Sequence, residues 1–357
     1  MMRIGARWGG IAAAAGVALL ALGACGNPLA PLTTERAVGN SVGKALAQPG
    51  LNLQISLGAT PAQLLQMNRI DHGDSSFTPQ MASALAHTSI VVNVYPGHGE
   101  SVQSKQFATD AKNRLELALQ VHSARPVDVR YLEGTLYARA DIHTLLSDFG
   151  QDPAGAASAQ SGLEKANAYL PGLAALGQGQ WVSADLHELA PLLKLGGLNM
   201  SPNSQYKANS TGLMRDLKSA LINNTTYTNL GNHGGRTEYR LTVAAHQVLG
   251  QLSGDLSNLA RSTPIPGATG IGKQIAGALP KVPRTVTLQL WVKDNKMQEV
   301  DLDLNQFAHK YPFPLPLRVM IAAGSPVAVP RGATPLQMSG IAGLLGGLGG
   351  MGLPHAS

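Results

Sequence analysis

The 357-residue sequence predicts an α+β protein, an antiparallel sheet packed on helices. Three observations lead there. Apolar residues recur at every second position through several short segments, the period of a half-buried strand. The connections between these segments are a few residues long, and such connections join antiparallel neighbours. Between the strand groups lie stretches with leucine at helical spacing, Leu213, Leu217 and Leu221 among them, and a helix with one apolar face must rest it on something.

The chain starts with a secretory signal over residues 1–24: Arg3 and Arg7, an apolar run from Ile11 to Leu20, then the small residues Gly23 and Ala24. Leu22-Gly23-Ala24-Cys25 looks like a bacterial lipobox, in which the thiol carries a diacylglycerol and cleavage falls before Cys25. The alternatives are a plain signal with a chance cysteine and a true membrane span, although the apolar run is short of the ~20 residues that a bilayer requires. Cys25 is the only cysteine, so lipidation leaves none for a disulfide, a thiolate metal site or a cysteine nucleophile. Losing Arg3 and Arg7 takes the formal net charge from +6 to +4, and no basic cluster suggests nucleic acid. Charged residues make up 13%, about half the ~25% usual for globular domains, so the chain either buries much of itself or exposes apolar surface.

Residues 25–49, rich in proline, glycine and small polar side chains, are expected to be a lipidated tether that ends in a helical turn. A single domain over 50–332 follows. Its first strand is Leu51–Leu57, with a helix around Pro61 to Met67 for which Thr60 is the cap. Asp71-His72-Gly73-Asp74 reads as a polar turn, with a metal site as the alternative. A meander is expected next, with strands at Ser89–Tyr95, Ser101–Phe107, Arg114–His122, Val127–Leu132 and Thr135–Ala140. Leu115, Leu117, Leu119 and Val121 share one apolar face.

Ala140-Asp141-Ile142-His143-Thr144-Leu145 is echoed by Ala184-Asp185-Leu186-His187-Glu188-Leu189. Each aspartate stands where a strand turns into a helix, so each is expected to cap that helix. The alternative makes Asp141/His143 and Asp185/His187 acid–base pairs, but no Gly-x-Ser-x-Gly or His-Glu-x-x-His motif accompanies them. Gly150–Gly162 reads as a small-residue linker, and helices are expected at Gln160–Leu170, Leu186–Leu195 and Thr211–Asn223. Strands at Thr225–Leu230 and Arg236–Val243 come next, then helices at His246–Leu259 and Ile271–Leu279. The strongest hairpin joins Thr285–Val292 to Met297–Leu304; Asp301 and Asp303 face away from its apolar side, which makes the other side wet. A last strand runs from Leu317 to Ala323. Residues 333–357 form a glycine-rich apolar tail, too short for a membrane span; a lip over an apolar surface is the alternative to a free tail.

With these elements in place, the chain resembles the LolA-like envelope carriers, lipoproteins of the LppX/LprA/LprF/LprG type. The resemblance is carried by the lipobox at Cys25, Gly134-Thr-Leu-Tyr-Ala138, Gly179-Gln-Trp-Val182, Thr285-Val-Thr-Leu-Gln-Leu-Trp-Val292 with its charged turn, and Pro326-Val-Ala-Val-Pro330. It covers roughly residues 85–332; the segment 50–84 and the tail are additions. It implies a strongly curved antiparallel half-barrel over helices, with an apolar cavity between the layers for acyl chains, no catalytic apparatus and no cofactor or metal. The expected ligand is a lipid or lipidated glycan, the expected membrane contact is the N-terminal anchor, and the expected location is the extracytoplasmic face of the cell membrane. Leu117, Leu119, Val286 and Leu288 are the expected walls. Met67, Met81 and Met214 suit either an adaptable lining or plain core. The other function classes are a sensor or scaffold lipoprotein without a cavity, and an enzyme.

Overall fold

The structure, a computed structural model, describes residues 33–71, 73, 76–98, 101–102, 112–150, 153–168, 170–186, 188, 216, 219–252 and 283–336. The chain forms two compact units, one from residues 1–48 and 201–323, the other from 49–200 and 324–357. Both combine antiparallel strands with helices, the α+β class that the sequence predicts.

In the first unit five strands run in the order β11-β10-β9-β8-β7. These are β7 (Thr225–His233), β8 (Arg236–Val243), β9 (Val286–Lys293), β10 (Lys296–Asp303) and β11 (Pro316–Ala322). Two-residue turns set the hairpin registers. Asp294 and Asn295 both have positive φ, as do Gly234 and Gly235, the conformation of a type I′ turn, whose twist matches the strands it joins. Helix α1 (Thr34–Leu46) packs on β10 and β7 and buries Val38, Val42, Ala45 and Leu46 against the sheet face that carries Leu241, Leu290, Val300 and Leu302. Where a tether is expected, residues 34–46 are therefore helix. Thr33 caps it by accepting from the Arg36 N–H, and the i, i+4, i+7 spacing of its apolar residues outweighs Gly39 and Gly43. Leu221, Val243, Val248 and Leu252 form a second cluster on which Leu288 packs.

The expected wet side of the β9–β10 hairpin is in fact covered by charge. Arg236 Nη1 lies 2.7 Å from Glu299 Oε2, Arg318 Nε 3.0 Å from Glu299 Oε1, and Arg318 Nη2 3.1 Å from Asp301 Oδ2. Asp301 is buried under this ladder. Asp303 points into the loop after β10 and accepts from the N–H groups of Asn305 and Leu315.

In the second unit the order is β12-β6-β5-β4-β3-β2-β1, and this sheet does not close on itself. Its strands are β1 (Leu51–Leu57), β2 (Thr88–Tyr95), β3 (Arg114–Val121), β4 (Ala124–Leu132), β5 (Thr135–Ala140), β6 (Val182–Asp185) and β12 (Thr334–Pro335). All pair antiparallel except β12, which is parallel to β6. The meander differs from expectation at one place: β2 pairs directly with β3, from Thr88↔Val121 to Tyr95↔Arg114, so no strand from 101–107 lies between them. Residues 103–107 lie outside the described residues, and Ser101 makes an isolated bridge with Pro49.

Helices α2 (Pro61–Ile70), α3 (Pro79–Ala86), α4 (Ile142–Asp148), α5 (Pro153–Asn167) and α6 (Leu173–Gly177) belong to this unit. Thr60 and Gln63 make the full capping box at the start of α2, and Thr78 caps α3 by accepting from the Met81 N–H, with Pro79 in its first turn. Helix α5 replaces much of the expected linker at 150–162. Its alanines favour helix, and its Leu163 packs so close to Gly177 of α6 that a β-carbon there would collide with it. Most of the expected helices at 186–195 and 211–223, half of that at 246–259 and all of that at 271–279 lie outside the described residues, as does the expected tail from 337 onward; its first residues, Thr334–Pro335, pair with β6 as β12.

Candidate functional site

In a strand, alternate side chains point to opposite faces, and cross-strand partners share a face. The registers of the second unit therefore separate two surfaces. One carries Leu53 and Ile55 from β1, Ile90, Val92 and Val94 from β2, Leu115, Leu117 and Leu119 from β3, and Val127 and Val129 from β4. Across β2 and β3 the pairs are Ile90↔Leu119, Val92↔Leu117 and Val94↔Leu115, an unbroken aliphatic grid. This surface is not sealed. Ile90 is 43% exposed, Leu115 40% and Leu117 44%, large values for leucine and isoleucine in the middle of a sheet.

The reverse surface carries the polar residues and is buried. Asn93, Glu116 and Arg130 stand in one row across β2, β3 and β4; Val91, Ala118 and Asp128 stand in the next. Asp128 has no exposed surface and accepts from Arg130 Nε at 3.3 Å and Nη2 at 3.0 Å, a two-point pairing. Glu116 takes Arg125 Nη1 at 3.1 Å and Arg130 Nη2 at 3.2 Å. The guanidinium carbons of Arg130 and Arg139 lie 4.8 and 5.1 Å from the Trp181 ring centre. Buried charge is tolerable when each ion has partners, as here.

A segment from far along the chain crosses this polar surface. Ser325 donates its N–H to Asn93 Oδ1 at 3.1 Å and accepts from Asn93 Nδ2 at 2.9 Å. Arg114 Nη1 donates to the carbonyl of Val327, and Arg130 Nη1 to that of Ala328. The strap then ends as β12, with the Thr334 N–H on the Trp181 carbonyl and the Leu336 N–H on the Ser183 carbonyl, both at 2.8 Å. The expected motif Pro326–Pro330 is thus the latch of the polar surface. At its start, a β-carbon on Gly324 would meet Leu51 N at 2.6 Å and Val94 O at 2.7 Å, which only glycine avoids.

Of the expected ligand walls, Leu117 and Leu119 lie side by side on the aliphatic face of the second unit. Val286 and Leu288 lie on β9 of the first unit, both part-buried. Cys25 lies outside the described residues, as does Met214; Met67 and Met81 are part-buried on α2 and α3. Ile90, Val92, Val94 and Leu115 complete the face around Leu117. The alternation in β2 could have pointed to its three residues, but Val91 between them makes the strand read as a continuous apolar run.

Asp141 caps α4 as expected. Its carboxylate accepts from the Thr144 N–H at 2.9 Å and the Thr144 hydroxyl at 2.7 Å, and these bonds, the backbone one first, hold its pKa below the ordinary carboxylate value. Asp185 ends β6 opposite Thr135, at the far end of the β5–β6 ladder from Asp141, so the two echoed aspartates do not converge. His187 lies outside the described residues, and so do His72 and Asp74; Asp71 ends α2, its N–H directed to the carbonyls of Met67 and Arg69.

Fold and site together define an α+β sheet protein with a half-open aliphatic face backed by an ion-paired, strapped reverse. Among solved structures, the chain is similar to the Mycobacterium tuberculosis lipoprotein LppX, with 10% identity and a TM-score of 0.30, covering 82% of this chain and 96% of that one. It is likewise similar to LprF from Mycobacterium bovis, with 10% identity and a TM-score of 0.31, covering 84% and 97%. No family model matches the sequence, and no curated protein matches it.

Proposed function

We propose that this chain is a non-catalytic, lipid-anchored protein of the extracytoplasmic face of the cell membrane that binds acyl chains of a lipid or lipidated glycan. The anchor is Cys25, freed by removal of residues 1–24 and placed ahead of helix α1 (Thr34–Leu46), which is part of the first folded unit. No described helix is long and apolar enough to cross a membrane. The observation that carries the reading is the exposure of Ile90, Leu115 and Leu117 within an aliphatic grid whose polar reverse is buried. Exposed aliphatic patches of this kind mark binding surfaces for apolar partners. Leu119 adjoins Leu117 in the grid, and Val286 and Leu288, on β9 of the first unit, are proposed separately as acyl-chain contacts of that unit.

The magnitude suits a carrier. A buried methylene contributes about 0.8 kcal/mol, and a chain lying on an open face buries about half of its surface. An acyl chain of about 16 carbons then gains at most roughly 6 kcal/mol, from which the freedom lost on binding is subtracted, so the complex is weak and reversible. Such a ligand is held and still released.

The test is mass spectrometry of lipid extracted from secreted protein with Cys25→Ala, together with Trp variants at Leu117, Leu119, Val286 and Leu288. Cys25→Ala is expected to move the protein from the membrane to the soluble fraction. At one or more of the four positions, tryptophan is expected to leave the lipid-free melting temperature nearly unchanged while abolishing lipid co-purification. Overpacking of a solid core costs about 1–3 kcal/mol instead. Four strongly destabilised variants and a parent without lipid would leave the scaffold reading in its place.

A further inference from the structure

We infer that His87 and His122 form a two-imidazole site on the second unit for a divalent first-row transition cation such as Zn2+ or Cu2+, whose remaining positions go to water or to an oxygen ligand from solution. The inference is independent of the acyl-binding role. The two residues continue the β2–β3 ladder one step beyond Thr88↔Val121, so they stand opposite each other. The His122 N–H donates to the His87 carbonyl at 3.0 Å, which holds that pairing. Directly opposed residues have β-carbons about 5 Å apart. The two rings stack with centres 4.7 Å apart and 28° between their planes, and both side chains are exposed.

The surroundings of His87 decide its chemistry. Its Nδ1 lies 2.8 Å from the Ser83 carbonyl oxygen, which can only accept, so Nδ1 carries a proton and the lone pair of the neutral ring is on Nε2. One ring N–H on a backbone carbonyl, with the other nitrogen left to ligate, is the usual arrangement of a metal-bound histidine. Helix α3 ends at His87, and its last carbonyls carry the negative end of the helix dipole, which favours a cation beside it. His122 has φ 52°, a left-handed conformation for which glycine or asparagine is the more common choice, and Gln120 Nε2 donates to its carbonyl at 3.1 Å. The backbone under both rings is thus pinned while the rings stay at the surface. Zinc–nitrogen bonds of about 2.0–2.1 Å put two tetrahedral ligands about 3.3 Å apart. From centres 4.7 Å apart the ring tips have to lean together by about 1.4 Å, a small rotation for exposed side chains. Among the described residues no group of three metal-ligating side chains occurs, so the pair supplies two ligands and the ion keeps open positions.

The test is a Zn2+ titration of the mature Cys25→Ala chain, made without a histidine tag and followed by 15N NMR of the histidine rings. The signals of the two residues are assigned by their loss in His87→Ala and His122→Ala. One nitrogen of each ring is expected to shift, both with the same dissociation constant. Each alanine variant is expected to weaken this event at least about tenfold, because the second bond is no longer formed by a ligand already held in place. His233→Ala, which removes the exposed histidine near Glu238 in the other unit, is expected to leave it unchanged. Zn2+ is also expected to raise the melting temperature of the parent and of neither pair variant. The parent spectrum carries the test even if His87→Ala frays the end of α3. A shift of only one of the two rings, earlier saturation of other histidines, or unchanged binding in His122→Ala overturns the inference. A parent that shows no shift at millimolar Zn2+ overturns it as well.

Discussion

Leu117→Ala and Leu132→Ala, on neighbouring strands of one unit, separate an open face from a packed one. Leu132 is 3% exposed on the strapped surface, whereas Leu117 is 44% exposed on the aliphatic face. Full burial of a leucine contributes about 1.5–3 kcal/mol, so the buried half of Leu117 contributes about 1 kcal/mol. Truncation there opens no sealed cavity, because solvent already reaches the site, and the expected cost is about 1 kcal/mol or less. At Leu132 the lost transfer energy and the cavity add, and the expected cost is about 2–5 kcal/mol. Urea titration followed by circular dichroism measures both, with equal slopes required for the comparison. Equal costs above about 2 kcal/mol would refute the open face, and with it the surface to which acyl binding is assigned.

Asp128→Ala is expected to cost about 1.5–3 kcal/mol, because it removes the two charge-assisted bonds to a part-buried Arg130 that keeps Glu116 as a partner, whereas Glu133→Ala at the exposed pair with Arg114 should cost no more than about 1 kcal/mol. Similar melting shifts for the two would contradict the assignment of buried and exposed charge. Asp141→Ala is expected to cost about 0.5–2 kcal/mol and Asp141→Asn little. The folded pKa of Asp141 lies below its unfolded value near 4, so its contribution is present above about pH 4 and lost as pH falls through the folded value. A Asp141→Ala stability deficit that persists unchanged to pH 2 would exclude the charged cap.

Much of the sheet was legible because strand period and turn chemistry are local. Thr135–Ala140 and Arg236–Val243 fall where alternation places them, and the Asp294-Asn295 turn follows from two residues that tolerate positive φ. Thr60 and Asp141 cap the helices that their side-chain chemistry announces. Helices α1 and α5 were harder to see. Glycine and alanine among short side chains read as tether or linker, and only the surfaces they pack on tip the balance toward helix. Direct pairing of β2 with β3 likewise required contacts between distant residues.

Alternation in β3 determines that Leu115, Leu117 and Leu119 share one face and Glu116 and Ala118 the other. It says nothing of which face is covered, and hydrophobicity alone would bury the leucines. The tertiary structure decides otherwise, because a strap 232 residues away in sequence supplies Ser325 to Asn93, and its carbonyls satisfy Arg114 and Arg130. Once Asp128 and Glu116 have partners, burying the polar face carries no unpaired charge. The aliphatic face is left half-open, and that exposure is a property of the assembled sheet that no local pattern contains.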